Sequence, residues 1–485
     1  MVRTVTKKTA CWLLAGHLLI LAAVICAAQE QYPKPLVHTP TDHPAARVLL
    51  LSVDGLHAID LENWIAAHPR SALAGLSARG VTYTNAHTPM ADPAAGLMAL
   101  TTGGTPISTG IVSSDGYDHA LSPAGSSCKT LGAVLELDTS FRADGSFDAT
   151  KAPLDPRNAC APLQPHDLLR VNTIFEIVRE KIGPTAWAGD SAATTDLLRG
   201  PSGNGLNDAC GFERSPPAAG DEARVAIVLR WIDGKACKGA SDSPVPVLFG
   251  MSFASLAAAQ AATGYTDAAG TPSEALANRL EFVDAAIGRL VQELKVRQLY
   301  DTTWICVASP YGQSPMDPRR RRLIPIARAR AVVDSVQPGL AAHISSGDAA
   351  MIWLSDPAKT AAVVKALGDR AAAIGIQDIY SGARLALTLN SPRKDSRMPD
   401  IILQAELGIL WGSLGDTTLA AYGGTLDEDT HVALLLSGAQ LTGRCDPTYV
   451  PTTQLGPLLL RALGMEKFDL QALHLEHSPA LPGIF

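Results

Sequence analysis

The 485-residue sequence predicts an α/β protein with a central, mostly parallel β-sheet, helices on both faces and loop insertions. Two observations predict this class: continuous apolar runs of strand length recur along the chain, and helical stretches lie between them. The apolar share of 47% is enough for a large core and excludes a disordered chain. A formal net charge of −7 gives no basis for general nucleic-acid binding.

The first 28 residues have the pattern of an export signal. Arg3, Lys7 and Lys8 form a basic start, and Ala10–Ala28 is an uncharged, mainly apolar run that ends in the small residues Cys26-Ala27-Ala28. The same run is almost long enough to span a bilayer, so a retained N-terminal anchor is the alternative. We therefore expect a secreted or periplasmic protein, which would touch a membrane only through residues 10–28 if the signal is not cleaved.

Export would place the remaining cysteines in an oxidising compartment. Cys128, Cys160, Cys210 and Cys237 lie in polar segments rich in Gly, Pro and Ser, where disulfide bonds are plausible. The sequence does not select among the possible pairings. Cys306 lies inside the apolar run Thr-Trp-Ile-Cys-Val-Ala, and we expect a free thiol in the core.

A Pro-rich linker, residues 29–46, leads to one folded domain over residues 47–485, with insertions near 113–170 and 197–243. The first strand starts at Arg47 and runs to Asp54-Gly55, so that Asp54 stands at its carboxyl end. Functional side chains collect at such ends in parallel sheets. Further strands are expected at Val245–Gly250, Thr303–Ala308, Ala349–Leu354, Asp400–Leu403 and Val432–Leu436.

The clearest helical pattern runs from Pro272 to about Val296. Thr271-Pro272-Ser273-Glu274 has the form of a capping box with proline at the first helical position. Apolar residues then recur at helical spacing and form one continuous face, which predicts a long helix packed on the sheet.

Asp54 ends the segment Leu-Leu-Leu-Ser-Val-Asp-Gly, and five further segments follow in order at 96–111, 198–203, 311–317, 397–402 and 422–436. This ordered series resembles the alkaline phosphatase superfamily, specifically its nucleotide pyrophosphatase/phosphodiesterase-like branch. The resemblance implies two divalent metals, usually zinc, and a Ser or Thr nucleophile at a helix N-terminus. Paired cations of this kind stabilise the attacking and leaving oxygens of a phosphoryl group.

At the positions that match the family's pattern, this chain carries Asp54 as the first metal ligand but Pro93 as the nucleophile. The remaining ligand positions fall on Ser252, Leu256, Pro310, Tyr311 and Tyr422. Proline has no hydroxyl group, and alkyl or phenol side chains hold zinc poorly at neutral pH. Only Asp54 keeps its expected chemistry, and we therefore expect no cofactor.

Two neighbouring residues leave an alternative open. Asp92 and His431 could form a rearranged metal site with Asp54, although Asp92 could equally cap the following helix and His431 could be a structural residue at a strand start. The first function class is a catalytically impaired homologue that binds a small anionic or phosphorylated ligand, or a partner, in the old cleft. The second is an active two-zinc hydrolase of phosphodiester or nucleotide pyrophosphate bonds. The side-chain chemistry favours the first class.

The densest basic run of the sequence is Arg319, Arg320, Arg321 and Arg322. Guanidinium groups pair well with phosphate and carboxylate, so this run is a candidate anion site. The alternative is a solvated, salt-bridged loop. The sequence contains no signal for the oligomeric state.

Overall fold

The computed structural model of this protein describes residues 44–212 and 215–484. The predicted export signal and residues 29–43 of the predicted linker lie outside the described residues. The strands are β1 Arg47–Val53, β2 Gly80–His87, β3 Asp115–Asp118, β4 Ala133–Glu136, β5 Leu154–Asp155, β6 Ala161–Pro162, β7 Thr185–Ala188, β8 Asp208–Cys210, β9 Leu248–Phe253, β10 Thr303–Ala308, β11 Arg322–Pro325, β12 Ala341–Ser346, β13 Ala349–Leu354, β14 Ile376–Ser381, β15 Ile401–Ala405, β16 Ile409–Gly412, β17 His431–Ser437, β18 Arg444–Asp446 and β19 Val450–Pro451.

The α-helices connect these strands and cover the sheets. They are α1 Ala58–Ala67, α2 Ala72–Ser77, α3 Pro93–Thr102, α4 Pro106–Thr109, α5 Pro165–Leu168, α6 Ile174–Lys181, α7 Ala192–Leu197, α8 Pro217–Ile232, α9 Ser255–Ala262, α10 Glu274–Val296, α11 Ala327–Val336, α12 Thr360–Gly368, α13 Ala371–Ile374, α14 Gly382–Leu385, α15 Asp427–Thr430, α16 Leu455–Ala462 and α17 Gln471–Glu476. Short 3₁₀ turns occur at Leu137–Ser140, Tyr300–Thr302, Pro318–Arg320, Pro357–Lys359, Thr452–Gln454 and Lys467–Asp469.

The main sheet has the strand order β18-β2-β17-β10-β1-β9-β7-β8, and β19 also pairs with β2. Within this described sheet every pairing is parallel except those of β17, which runs antiparallel to both β10 and β2. Alternate residues of β1 enter the cores on opposite faces: Val48 and Leu50 on one face, Leu49 and Leu51 on the other. The predicted α/β class, with a mostly parallel sheet covered by helices, is confirmed.

Two predicted strands belong to a different sheet. β13 and β15 lie in a separate four-stranded antiparallel sheet, with the order β12-β13-β15-β14 and with α11 and α12 packed on it. The expectation that they continue the parallel sheet is wrong. A fully buried apolar run has the same pattern in either kind of sheet, so the sequence could not separate them.

The boundaries of other predicted elements shift by a few residues. β10 spans the predicted residues, whereas β9 begins at Leu248 rather than Val245. The long helix α10 is capped by Ser273, whose Oγ accepts a hydrogen bond from the Leu276 amide at 3.3 Å, so Pro272 precedes the helix rather than opening it. Within the predicted insertion 197–243, helix α8 buries Val225 and Trp231 in the core against the main sheet.

Two disulfide bonds, Cys128–Cys160 and Cys210–Cys237, close loops of the chain. They use the four cysteines that the sequence places in polar segments. Cys306 is a fully buried free thiol in β10, as predicted. Disulfides of this kind are typical of extracellular or periplasmic proteins. Within residues 44–212 and 215–484, no helix combines the length and the apolar character that a membrane crossing needs.

Candidate functional site

A cavity of about 380 Å³ lies at the carboxyl ends of the central strands of the main sheet. Asp54 follows β1 directly, and Gly55, with φ of +77°, turns the chain away in a left-handed conformation that suits glycine. Ser252 lies near the end of β9, and Pro310 follows β10. Neighbouring parallel strands end at the same edge of a sheet, so these residues share one cavity wall.

Most of the positions singled out in the sequence meet at this cavity. Its wall includes Asp54, Pro93, Ser252, Pro310, Tyr311 and Tyr422. They come from five separate segments of the chain, which the fold brings together as the family pattern implies.

Leu256 is the exception, because it is fully buried in the core between the sheet and its helices and does not line the cavity. Two other residues four positions apart, Ala254 and Ala258, do line it. Ala254 is the first residue after β9, and Ala258 lies one turn later on α9. The sequence carried a usable signal for this register, since a residue that follows a strand end and another one helical turn later point to the same side.

The helix that should present the nucleophile, α3, begins with Pro93, and Asp92 is its N-cap. Asp92 Oδ1 accepts hydrogen bonds from the amides of Ala94 and Ala95 at 2.8 and 3.1 Å. Its Oδ2 accepts from the Ser114 amide at 3.0 Å and from the Ser113 hydroxyl at 3.2 Å. The N-terminus of a helix is a ready anion site, and here a carboxyl group of the chain itself occupies it.

The sequence left two roles open for Asp92, and in the structure this residue is the helix cap. Burial raises the pKa of Asp92, and its hydrogen bonds from Ser114, Ala95 and Ala94 oppose that rise. Gly96, one turn into α3, lies against the carbonyl of Pro310, where a Cβ atom would collide. This close approach holds the start of the helix against the strand end.

Asp54 is a buried carboxyl group, 7% exposed, in an acidic neighbourhood. Burial raises its pKa well above the usual range, and the negative charges of Asp190 and Asp221 raise it further. Arg224 and a hydrogen bond from the Tyr311 phenol oppose that rise. Asp54 therefore holds a proton over a wider pH range than an exposed aspartate does.

Two tyrosines cover one side of the cavity, at positions that the family pattern gives to metal ligands. The ring centroids of Tyr311 and Tyr422 lie 4.7 Å apart, with Tyr311 buried and Tyr422 partly exposed. Burial, with the charge of Asp54 as the next cause, raises the pKa of Tyr311 well above its usual range. Both phenols are therefore neutral at physiological pH and act as hydrogen-bonding groups, not as anionic ligands.

Several groups at this cavity were not found from the sequence. Gln313 lines it, is only 4% exposed, and its buried Oε1 has no hydrogen-bond partner. Behind the wall, Arg224 forms a buried ion pair with Asp221 and donates from Nε to the Ser252 carbonyl at 2.9 Å. Asp221 in turn accepts from the amides at the start of α9. No local sequence motif marks such contacts between distant segments.

The residues around the cavity do not fit a pair of zinc ions. Among its described lining residues the carboxylates are Asp54, Asp138 and Asp190, and there is no histidine or cysteine. Asp138 already accepts a hydrogen bond from Ser191 Oγ at 2.7 Å. In the described part of the chain, no group of three potential ligand residues with donor atoms within 4.8 Å of one another includes Asp54 or Asp92. Two zinc centres need several nitrogen or carboxylate ligands each.

His431, the third residue of the possible rearranged site, belongs to a different group. Its potential ligand atom lies with those of His87 and Asp427, and neither Asp54 nor Asp92 is in that group. The structure thus places the His431 ring with groups other than Asp54 and Asp92.

The arginine run does not line the cavity. Arg319 Nε lies 2.9 Å from Asp317 Oδ1, and Arg321 donates to the carbonyls of Thr418 and Asp416 at 2.6 and 2.7 Å. Arg320 and Arg322 are exposed. Arg321 thus has a structural role in holding a loop, while anion binding by the run stays a prediction.

The model of the type I phosphodiesterase/nucleotide pyrophosphatase family matches residues 48–413. This chain belongs to that family. The match covers every cavity residue discussed above except Tyr422. A search of curated proteins found no match.

Solved structures of ectonucleotide pyrophosphatase/phosphodiesterase 5 share the fold. An inactive variant of the murine protein in complex with AMP has a TM-score of 0.61 and 16% identity, over 87% of this chain and 96% of that one. The human protein has a TM-score of 0.58 and 18% identity, over 90% of this chain and 96% of that one. At these identities the likeness extends to the architecture alone.

Proposed function

We propose that this protein is an exported member of the phosphodiesterase family that has lost two-metal hydrolysis and uses the former active-site cavity to bind a small ligand. The observation that carries the proposal is Pro93 at the first turn of α3, on the cavity wall beside Asp54. Without a hydroxyl there, no covalent phosphoryl intermediate can form at the position that the family pattern uses.

The donor set supports the same conclusion. A two-metal reaction needs cations to activate the nucleophile and to stabilise the leaving oxygen, and phenols and alanines stand where the ligands are needed. The cavity therefore lacks both the nucleophile and the metal ligands that the two-metal reaction needs. No specific contact favours the alternative of an active, rearranged hydrolase.

Hydrolysis of bis(4-nitrophenyl) phosphate tests this proposal. The purified protein, with and without added zinc, should show a rate equal to that of buffer alone, because the loss of even one group that stabilises the transition state costs roughly 10²–10³-fold. Two zinc ions per chain together with turnover that a chelator abolishes would overturn the proposal. The variant Asp54→Ala is the control, since its rate should equal that of the wild type.

The charge around the cavity favours a neutral or cationic ligand over the anionic one predicted from the sequence. Asp138 and Asp190 line the wall, and Asp92 caps the helix whose first residue, Pro93, also lines it. We therefore expect AMP, which the murine relative binds in its inactive form, to bind weakly or not at all.

Calorimetric titration with AMP and with adenosine checks this expectation. The charge-neutral replacement Asp92→Asn should improve AMP binding and leave adenosine unchanged, because it removes one negative charge where a phosphate would sit. Tight AMP binding by the wild type would show that the acidic wall does not exclude anions. Binding that is lost in an Arg319→Ala/Arg320→Ala/Arg322→Ala variant would instead place the anion at the arginine run.

Export is the other part of the proposal. The disulfides and the N-terminal pattern both support it. The mass of the mature protein, measured after expression with its native N-terminus, should correspond to a chain that begins at about residue 29. A full-length chain found in the membrane fraction would support a retained anchor instead.

A further inference from the structure

Two histidines and one aspartate form a compact group at the edge of the main sheet, outside the cavity. His87 ends β2 and His431 begins β17, and the two residues pair directly across the antiparallel ladder. Asp427 opens the short helix α15 just before β17. One potential ligand atom from each of the three lies within 4.8 Å of the other two. We call this group the imidazole cluster.

We propose that the imidazole cluster is a binding site for one divalent cation of the zinc class, with His87, His431 and Asp427 as protein ligands and water in the remaining position. This site is distinct from the two-metal positions that the family pattern implies. The proposal does not depend on the function proposed for the cavity.

The hydrogen bonds of His431 leave one ring nitrogen available for a metal. Its Nε2 lies 2.8 Å from the carbonyl of Thr84, and because a carbonyl only accepts, Nε2 must carry the proton. The lone pair is then on Nδ1, which lies 3.6 Å from Asp427 Oδ2. An N–H bonded to a carbonyl on the far side of the ring is the usual way in which proteins orient a metal-binding histidine.

His87 has the same arrangement. Its Nε2 lies 2.9 Å from Asn85 Oδ1, and the Asn85 amide nitrogen donates to the Pro447 carbonyl at 3.3 Å, which fixes the direction of that amide. His87 Nδ1 lies 3.4 Å from the Thr430 hydroxyl, and that hydroxyl donates to the Leu426 carbonyl at 3.0 Å. The Nδ1 lone pair of His87 therefore receives no proton from Thr430.

The two imidazole rings stack on each other in the structure. Their planes are nearly parallel, at 7°, with centroids 4.7 Å apart, and Tyr449 stacks on the other side of His87 at 5.0 Å. The side chain of Asp427 is 77% exposed and can turn towards the two nitrogens. Ligand atoms of a tetrahedral zinc ion stand about 3.3 Å apart and an imidazole binds a metal in the plane of its ring, so metal binding requires one of the two stacked rings to turn as well as a movement of this carboxylate.

The donor set also selects the class of cation. Two imidazole nitrogens and one carboxylate suit zinc, nickel and copper, whereas magnesium and calcium prefer all-oxygen sites. The cluster joins the end of β2 to the segment just before β17. A bound ion would therefore connect the chain that continues from β2 to Pro93 with the chain that follows Tyr422.

The experiment uses the tag-free mature protein, stripped with a chelator and titrated with zinc in a calorimeter. We expect one zinc ion per chain and no heat with magnesium. His87→Ala and His431→Ala should each weaken binding by more than the roughly 10–100-fold that the loss of a supporting hydrogen bond costs. Asn85→Ala, which removes only the support of His87, should fall within that range.

Two matched variants separate this site from others. His343→Ala removes a half-buried histidine that pairs with Asp115, and Asp54→Ala removes the carboxylate of the cavity. Both should bind zinc as the wild type does. If His87→Ala does not fold, His87→Gln replaces it with a side chain of similar size. The absorption bands of cobalt bound to the wild-type protein report nitrogen ligation without any substitution.

No zinc bound by the wild type, or equal affinity in the wild type and in both histidine variants, would overturn the proposal. Loss of zinc in Asp54→Ala alone would also overturn it and would move the metal to the cavity, against the proposed function. Loss in the histidine variants alone leaves the proposed function untouched.

Discussion

The cavity and the imidazole cluster lie at the same edge of the main sheet, but they present opposite chemistry. The cavity has the shape and the strand ends that the family uses, with carboxyl groups, phenols and alanines on its wall. The imidazole cluster has two oriented ring nitrogens at a place to which the family pattern assigns no ligand. The arrangement of the strand ends is thus independent of the side chains that would give them catalytic or metal-binding chemistry.

The comparison also shows why neighbouring polar groups matter. At the imidazole cluster each histidine has an oxygen on its far side that fixes the proton. At the cavity, Asp54 is surrounded by further acids that make its charged form unfavourable. Metal affinity depends on this surrounding arrangement as much as on the ligands themselves.

The strongest way to break the comparison is to give the cavity the nitrogen ligands that it lacks. The double variant Tyr311→His/Tyr422→His places two imidazoles beside Asp54, where the rings now lie 4.7 Å apart. We expect a second zinc ion to bind, measured by elemental analysis after gel filtration. Adding Asp54→Ala should remove that second ion, and a double variant with unchanged zinc content would show that the cavity cannot accept a metal.

A smaller difference is expected in stability, between variants of the two acidic residues at the starts of helices α3 and α15. Asp92→Ala removes a cap and leaves buried amide and hydroxyl donors unpaired, at a cost of about 3 kcal/mol in the free energy of unfolding. Asp427→Ala, at an exposed position, should cost less than about 0.5 kcal/mol. Urea denaturation measures both, and equal costs would mean that Asp92 does not hold α3 in place.

The smallest effect concerns Asp54. Its pKa is higher in the folded than in the unfolded state, so wild-type stability falls as the pH rises above the pKa of the unfolded chain. Asp54→Asn removes this loss. Its melting temperature should exceed that of the wild type by roughly 2 °C or more at pH 7 and equal it near pH 3.

The exposed Asp427→Asn is the matched control for that measurement and should show no such gain. An Asp54→Asn variant that is less stable than the wild type at pH 7 would mean that the charged carboxylate contributes favourable contacts in the folded protein.

The sequence predicted the parts of the site that depend on order along the chain. Asp54 was placed at the carboxyl end of an apolar run, whereas Pro93 and Tyr311 were placed through the resemblance to the family. Ala254 and Ala258 lie two residues beyond the positions chosen from the sequence, because the strand was predicted to end at Gly250 whereas β9 ends at Phe253. The role of Asp92 as a helix cap was foreseen as one of two options.

The imidazole cluster could not be predicted in the same way. His87 and His431 are far apart in the sequence, and they meet only because β17 inserts antiparallel between β2 and β10. The separate antiparallel sheet was missed for a related reason, since the partner of a buried strand is set by tertiary packing and not by its own composition.

The carboxyl group of Asp92 has a consequence for attempts to build a nucleophile at position 93. A hydroxyl introduced at position 93 would lie at the N-terminus of α3, where Asp92 already accepts the hydrogen bonds of the first amides. The negative charge of Asp92 would repel an incoming phosphate. A variant designed to hydrolyse phosphodiesters through residue 93 would therefore need a replacement of Asp92 as well, at a cost in stability. Under the proposed function, the stability that Asp92 gives to α3 would therefore oppose a return to hydrolysis.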